Sequence, residues 1–210
     1  GFSPVKREPP GMFQITPAVP PQLGSLLLAH GSSLGADSPF MQKAAEALAQ
    51  AGLEVSRFNF DYRRQGRKFP PPWKTLVQEY AEIFAVWQAP GPRLVGGKSL
   101  GSRVALQVSR SLEVLGVIAL GYPLHPPRKP DLFRLEPLQL ATRPTLVLQG
   151  TRDPFGGPGE FAALPMSPMV RLEPLAMADH DFGVVRQAPD PFERIPGLVR
   201  AWLAGLAPLP

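Results

Sequence analysis

The pentapeptide Gly97-Lys98-Ser99-Leu100-Gly101 has the pattern G-x-S-x-G. It stands between a short apolar run, Leu94-Val95, and a segment with helical spacing, Val104, Ala105, Val108 and Leu112. A serine on a sharp strand-to-helix turn presents its Oγ above a sheet, and flanking glycines allow the close backbone approach such a turn needs. The helix behind it directs free N–H groups and the positive end of its dipole at the same place. A serine hydroxyl is a poor nucleophile alone; it needs a base, and the base needs an orienting carboxylate.

The chain has three histidines, so the choice of base is narrow. His180, in Ala178-Asp179-His180-Asp181, follows an expected strand at 170–175, and Asp153, in Gly150-Thr151-Arg152-Asp153-Pro154, follows one at 145–149. Nucleophile, acid and histidine in that chain order, each just past a strand, is the order of a hydrolase built on a parallel sheet. Ser99, Asp153 and His180 are therefore the expected nucleophile, acid and base, with Asp131, Asp179 and Asp181 as substitutes for the acid. His30-Gly31 ends the first buried run, which suits an oxyanion loop. Backbone N–H groups of Leu100 and Ser32 are the expected oxyanion donors, with the choice within Gly31-Ser32-Ser33 left open. His125, in Leu124-His125-Pro126-Pro127, either lines the pocket or braces a proline-rich loop. The expected pocket residues are His30, Tyr62, Lys98, Tyr122, His125 and Phe155.

Two other chemistries fit poorly. Gly97-Lys98-Ser99 ends like a phosphate-binding loop, but that pattern needs glycine where Pro92 stands. No His/Glu pair has helical ligand spacing, so no metal is expected, and acyl transfer to serine requires no cofactor.

Positioning these residues requires alternating elements, and the pattern supplies them. Apolar runs at 26–29, 55–60, 94–95, 117–120, 145–148 and 170–175 alternate with helical faces. One such face runs from Met41 to Ala49 behind a Ser38-Pro39 cap, another from Trp73 to Trp87, and a last one follows Asp190-Pro191. This is the pattern of a mostly parallel sheet with helices on both faces, whose sites lie beyond the carboxyl ends of the strands. Residues 1–23 are proline-rich and aperiodic and read as a loosely ordered lead-in; 24–210 read as one domain. No insertion is long enough for a cap domain. An open site favouring short acyl groups follows.

The same segments resemble a family of small α/β-hydrolases related to dienelactone hydrolases. It includes bacterial proteins and the hydrolase-like domain of subunit 3 of the NSL histone-acetylation complex. The resemblance rests on Leu28-Ala29-His30-Gly31, Ser38-Pro39-Phe40-Met41, the stretch from Gly96 to Ala105, Leu120 to Pro127, Gln149 to Gly156, and Asp179-His180-Asp181. It covers roughly residues 24–205 and implies the same triad, without implying a substrate. Gly31-Ser32-Ser33 departs from the Gly- and Ala-rich loop expected of the family.

Composition bounds the rest. With 210 residues, 44% of them hydrophobic, the chain can bury one sizeable core. Cysteine is absent, and Asn59 is the single asparagine among 28 prolines, a composition seen in thermophiles. The net charge of +5 is scattered apart from Arg63, Arg64, Arg67 and Lys68, which read as a solvated loop, so no nucleic-acid partner is expected. No apolar stretch can span a bilayer and no signal-peptide pattern is present, so the expected location is cytoplasmic and the expected partner a small acyl substrate. The rival reading is a binding or scaffolding domain that kept the fold; a complete triad argues against it.

Overall fold

The computed structural model describes residues 9–206. The sheet has seven strands: β1 (Gln14–Thr16), β2 (Gly24–Ala29), β3 (Leu53–Phe58), β4 (Arg93–Lys98), β5 (Gly116–Leu120), β6 (Thr145–Gly150) and β7 (Val170–Leu175). Their order across the sheet is β1-β3-β2-β4-β5-β6-β7, parallel except for β1, which runs antiparallel to β3. The lead-in is thus not wholly irregular. Its residues 14–16 pair with 55–57 and cover the edge that β3 would otherwise present. The opposite edge strand, β7, carries Pro174, a residue that central ladder positions exclude.

The inner strands are apolar on both faces because helices cover both. Leu27, Val95, Val117, Ala119 and Val147 point into one core, shared with α3 (Trp73–Val86) and α4 (Leu100–Ser109). Their neighbours Leu26, Leu28, Leu94, Ile118, Leu120, Leu146 and Leu148 point into the other, shared with α1 (Pro39–Gln50) and α7 (Ile195–Ala204). The period-two alternation therefore sorts one apolar sequence into two cores. Ser38 caps α1, its side chain accepting from the Met41 N–H, with Pro39 in the first turn. Asp190 caps a 3₁₀ turn, Pro191–Glu193, rather than the last helix, which begins after it at Ile195.

Two further differences from the sequence reading concern the site. The second run leaves the ladder at Phe58 instead of Phe60, because Asn59 and Phe60 turn to other partners: Asn59 Oδ1 accepts from the Ala36 N–H, and the Phe60 N–H donates to His30. A short helix, α2 (Asp61–Arg64), also interrupts the basic segment expected to be a loop, and two more, α5 (Glu136–Gln139) and α6 (Pro158–Ala162), lie in the connections flanking β6. The connections beyond the carboxyl strand ends carry no separate cap domain. Among the described residues, no helix is long and apolar enough to cross a membrane.

Packing is very close where α4 leaves β4. A Cβ on Gly97 would collide with the backbone of Gly101 and come within 2.7 Å of the Ser102 nitrogen; one on Gly101 would strike the carbonyls of Ala29 and His30. These neighbours are main chain and cannot rotate away. Gly97→Ala is therefore expected to destabilise the protein by about 3 kcal/mol, measured as a shift in the urea unfolding curve.

Candidate active site

Ser99 lies between β4 and α4 with φ 51° and ψ −116°. A positive φ at a non-glycine residue costs energy of order 1–3 kcal/mol and persists only where the surroundings impose it. Here the Ser99 N–H donates to Leu120 O on β5, and its carbonyl accepts from the Ser102 N–H and the Ser102 hydroxyl. The strained residue is clamped on both sides, and its Oγ is left to face the cleft.

His180 lies in the loop after β7, with Nε2 2.9 Å from Ser99 Oγ and Nδ1 2.8 Å from Asp153 Oδ2. The partners fix the tautomer: Nδ1–H donates to the carboxylate, and Nε2 accepts from the serine hydroxyl. Phe155 stacks on the imidazole, ring centroids 4.0 Å apart and planes 26° apart. Asp153 is buried. Its Oδ1 accepts from the Phe155 N–H, and its Oδ2 also accepts from Gln149 Nε2 at 3.0 Å.

Gln149 was not anticipated from the sequence. It is fully buried at the end of β6, where its two N–H groups are shared among Asp153 Oδ2 and the carbonyls of Tyr122 and Gly156, and its oxygen accepts from the Tyr122 N–H. A lone amide closing the apolar run Thr145-Leu146-Val147-Leu148 was the available signal, since a buried amide needs partners. The other candidate acids lie elsewhere. Asp179 accepts from the N–H groups of Asp181 and Gly183 and shapes the histidine loop; Asp181 lies 3.4 Å from Lys98; Asp131 is exposed in the loop after β5.

A cleft of about 500 Å³ opens over Ser99. Gly31, Ser32 and Leu100 line it together with His180 and Phe155. Leu100 is the first residue of α4, so its N–H has no intrahelical acceptor. The loop opposite is held by its carbonyls: His30 Nδ1–H donates to Gly31 O at 2.6 Å, and the Tyr62 hydroxyl to Ser32 O at 3.1 Å. These two hydrogen bonds fix the loop beside the cleft. Arg103 and Arg134 form another part of the wall, Arg103 against the Trp73 ring. Neither guanidinium has a carboxylate within 4.0 Å among the described residues.

Of the six expected pocket residues, Lys98 and Phe155 border the cleft and four do not. His30 is fully buried, with Nε2 accepting from the Phe60 N–H at 3.1 Å. Tyr62 is buried with its hydroxyl on the loop carbonyls. Tyr122 is buried, its hydroxyl donating to Arg134 O, and burial raises the pKa of its phenol. His125 settles as a loop brace: Nε2 is 2.7 Å from Glu160 Oε1 and Nδ1 2.8 Å from Pro126 O. Burial opposes its charging, but the Pro126 carbonyl and the Glu160 carboxylate outweigh that and raise its pKa. In each case the polar atoms are spent on the scaffold.

Burial lowers the His30 pKa to about 4, against the opposing pull of the Gly31 carbonyl. The unfolded chain takes up that proton near pH 6.5, so His30 contributes fully to stability above pH 6.5 and progressively less as the pH falls towards 4. The loss amounts to about 3 kcal/mol. Urea unfolding at pH 7 and pH 4 should show it in the wild type, and His30→Gln should lack this component.

Comparison with known proteins agrees with this architecture. The structure is similar to a dienelactone hydrolase from Anabaena variabilis, with 24% identity over 91% of this chain and 90% of that one and a TM-score of 0.67. It is similar to an α/β serine hydrolase without a lid from Xanthomonas campestris, with 17% identity over 93% and 89% of the two chains and a TM-score of 0.62. A monoacylglycerol lipase from Paleococcus ferrophilus gives 17% identity over 91% and 98% and a TM-score of 0.63. At these identities the likeness is one of fold: a single-domain α/β-hydrolase fold, mostly parallel, with helices on both faces of the sheet. Residues 22–194 match the family model described as an alpha/beta hydrolase domain, and by that match the chain belongs to the α/β-hydrolase family.

Proposed function

We propose that this protein is a serine hydrolase acting on short carboxylic esters or similarly activated acyl groups, with Ser99 as nucleophile, His180 as base and Asp153 as the orienting acid. The observation that carries the reading is the unbroken hydrogen-bonded line Asp153–His180–Ser99, at 2.8 and 2.9 Å, ending on a strained serine in an open cleft. Ser99 Oγ attacks the acyl carbonyl while its proton passes to His180 Nε2. The oxyanion forms against the N–H of Leu100 and those of the Gly31-Ser32 loop. His180 then gives the proton to the departing alcohol. Water attacks the acyl-serine by the same route, returning the acid product and free Ser99. Asp153 holds the imidazole in the required tautomer and stabilises the imidazolium. No cofactor or metal enters any step.

The cleft has no cap above it, and Arg103 and Arg134 are among the residues that line it. An acyl group that is short, or that ends in a carboxylate, suits it better than a long alkyl chain. In a panel of p-nitrophenyl esters, kcat/KM is expected to be higher for acetate, butyrate and the succinate half-ester than for decanoate. Faster cleavage of decanoate would contradict this reading of the cleft.

A fluorophosphonate mimics the tetrahedral species and reacts with a serine that has both a base and oxyanion donors. Intact protein is expected to take up one equivalent, mapping to the peptide that contains Ser99, and Ser99→Ala to take none while remaining folded. Folded wild-type protein that takes no label and cleaves no short ester would replace the hydrolase reading with that of a scaffold. His180→Ala should lower kcat by at least ~10³-fold, and His125→Ala by much less, because His125 is hydrogen-bonded to Glu160 and the Pro126 carbonyl. Equal losses would mean that the base is misassigned.

A further inference from the structure

The mechanism above leaves one buried cation unused. Lys98, one peptide bond before Ser99, is 6% exposed. Its ammonium donates to the backbone carbonyl of His180. It lies 4.6 Å from the centroid of the Phe40 ring and 5.6 Å from that of Phe182. Gly121, at φ +60°, makes room: a Cβ there would come within 2.9 Å of Lys98 Nζ and 3.0 Å of His180 O. Among the described residues the one carboxylate within 4.0 Å, Asp181 at 3.4 Å, has a side chain 78% exposed, and so exposed an ion pair contributes little. Burying an ammonium is costly, and the cost shows as a Lys98 pKa lowered by desolvation to about 8. A charge kept inside at that cost, on a neutral carbonyl, calls for a function.

The restraints on His180 indicate one. Asp153 holds the imidazole edge and Phe155 its face. Both act on the ring, and neither fixes the height of the loop backbone above Ser99. Lys98 grips that backbone from the strand end that carries the nucleophile. The same short stretch of β4 therefore sets both ends of the Ser99–His180 hydrogen bond.

Resting on the serine-hydrolase reading, we propose that Lys98 is a positioning residue, which holds the His180 main chain so that Nε2 stays within hydrogen-bonding reach of Ser99 Oγ. Lys98 touches no reacting atom. Its effect falls on the chemical step rather than on substrate binding, because a displacement of about 1 Å can cost about 10²-fold in rate.

Lys98→Met keeps the length of the stem and removes the donor. With p-nitrophenyl butyrate, kcat is expected to fall about 10²-fold with little change in KM, in a protein whose circular dichroism is that of the wild type. Asp181→Asn is expected to cost clearly less, since the carbonyl contact and not the exposed ion pair is the operative one. Lys98→Ala opens a space next to the His180 carbonyl. Methylammonium or ethylammonium should restore its rate saturably, whereas tetramethylammonium at the same ionic strength, with no N–H to donate, should not. The His180 Nδ1 proton gives a readout independent of turnover: it is expected downfield in the wild-type NMR spectrum, from its hydrogen bond to Asp153, and should broaden in Lys98→Met. A folded Lys98→Met with wild-type kcat and an unchanged Nδ1 proton overturns the proposal. So does a loss in Lys98→Ala that no primary ammonium restores, or an equal loss in Asp181→Asn. Wild-type protein that cleaves no ester and takes no fluorophosphonate overturns the hydrolase reading instead, and the Nδ1 proton then still decides whether Lys98 holds His180.

Discussion

The approach of α4 to the ends of β2 and β4 is the constraint on which the site depends. Gly97, at the end of β4, and Gly101, in the first turn of α4, have no room for a methyl group, because the main chains they face are already at contact distance. That closeness forces the reversal of direction at Ser99 and with it the positive φ. It also brings the first N–H groups of α4 beside Ser99, and Gly31 lines the same cleft. Relaxing the crossing would displace the strained serine, the helix terminus and the Gly31-Ser32 loop together, since all three meet at this contact.

Around this crossing lies a shell of buried polar groups hydrogen-bonded to main chain and to one another. Gln149 binds the Asp153 carboxylate and the Tyr122 main chain; Tyr62 and His30 tie back the Gly31-Ser32 carbonyls; Tyr80, at the centre of the sheet, donates to Leu27 O and accepts from the Gly96 N–H. A buried polar atom without a partner is expensive, so each such group locks its neighbours into the one arrangement that satisfies it. This is how a hydroxyl and an imidazole from segments 81 residues apart are held at hydrogen-bonding distance. Rigid supporting hydrogen bonds, rather than the reacting groups themselves, carry the precision of the site.

Much of this molecule is legible in one dimension. The apolar runs of β2, β5 and β6 name their own strands, because a strand covered on both faces has no polar alternation to confuse it. Ser38-Pro39 announces α1 by a capping chemistry that acts within four residues. That Ser99, Asp153 and His180 come together was legible because strand ends of a parallel sheet converge on one side, so residue type and chain order single them out before their distances are known. The β1 pairing was not legible: Gln14-Ile15-Thr16 is too short for a period, and its strand character comes from the free edge of β3.

The residues at the strand ends were another matter. His30, Tyr62, Tyr122 and His125 have the chemistry of pocket residues and stand at the right places in the chain, yet each turns its polar atoms into the scaffold. Their partners are Phe60, Ser32, Arg134 and Glu160, at separations of 30, 30, 12 and 35 residues. Lys98 faces the cleft region but gives its ammonium to His180, 82 residues away. The sequence by itself determined the layers, the order of the elements and which residues arrive at the active end of the sheet, because periodicity, capping and turn chemistry are local. Only the tertiary structure decided which of those residues face the cleft and which support it, because that choice depends on which buried donor meets which acceptor across distant segments.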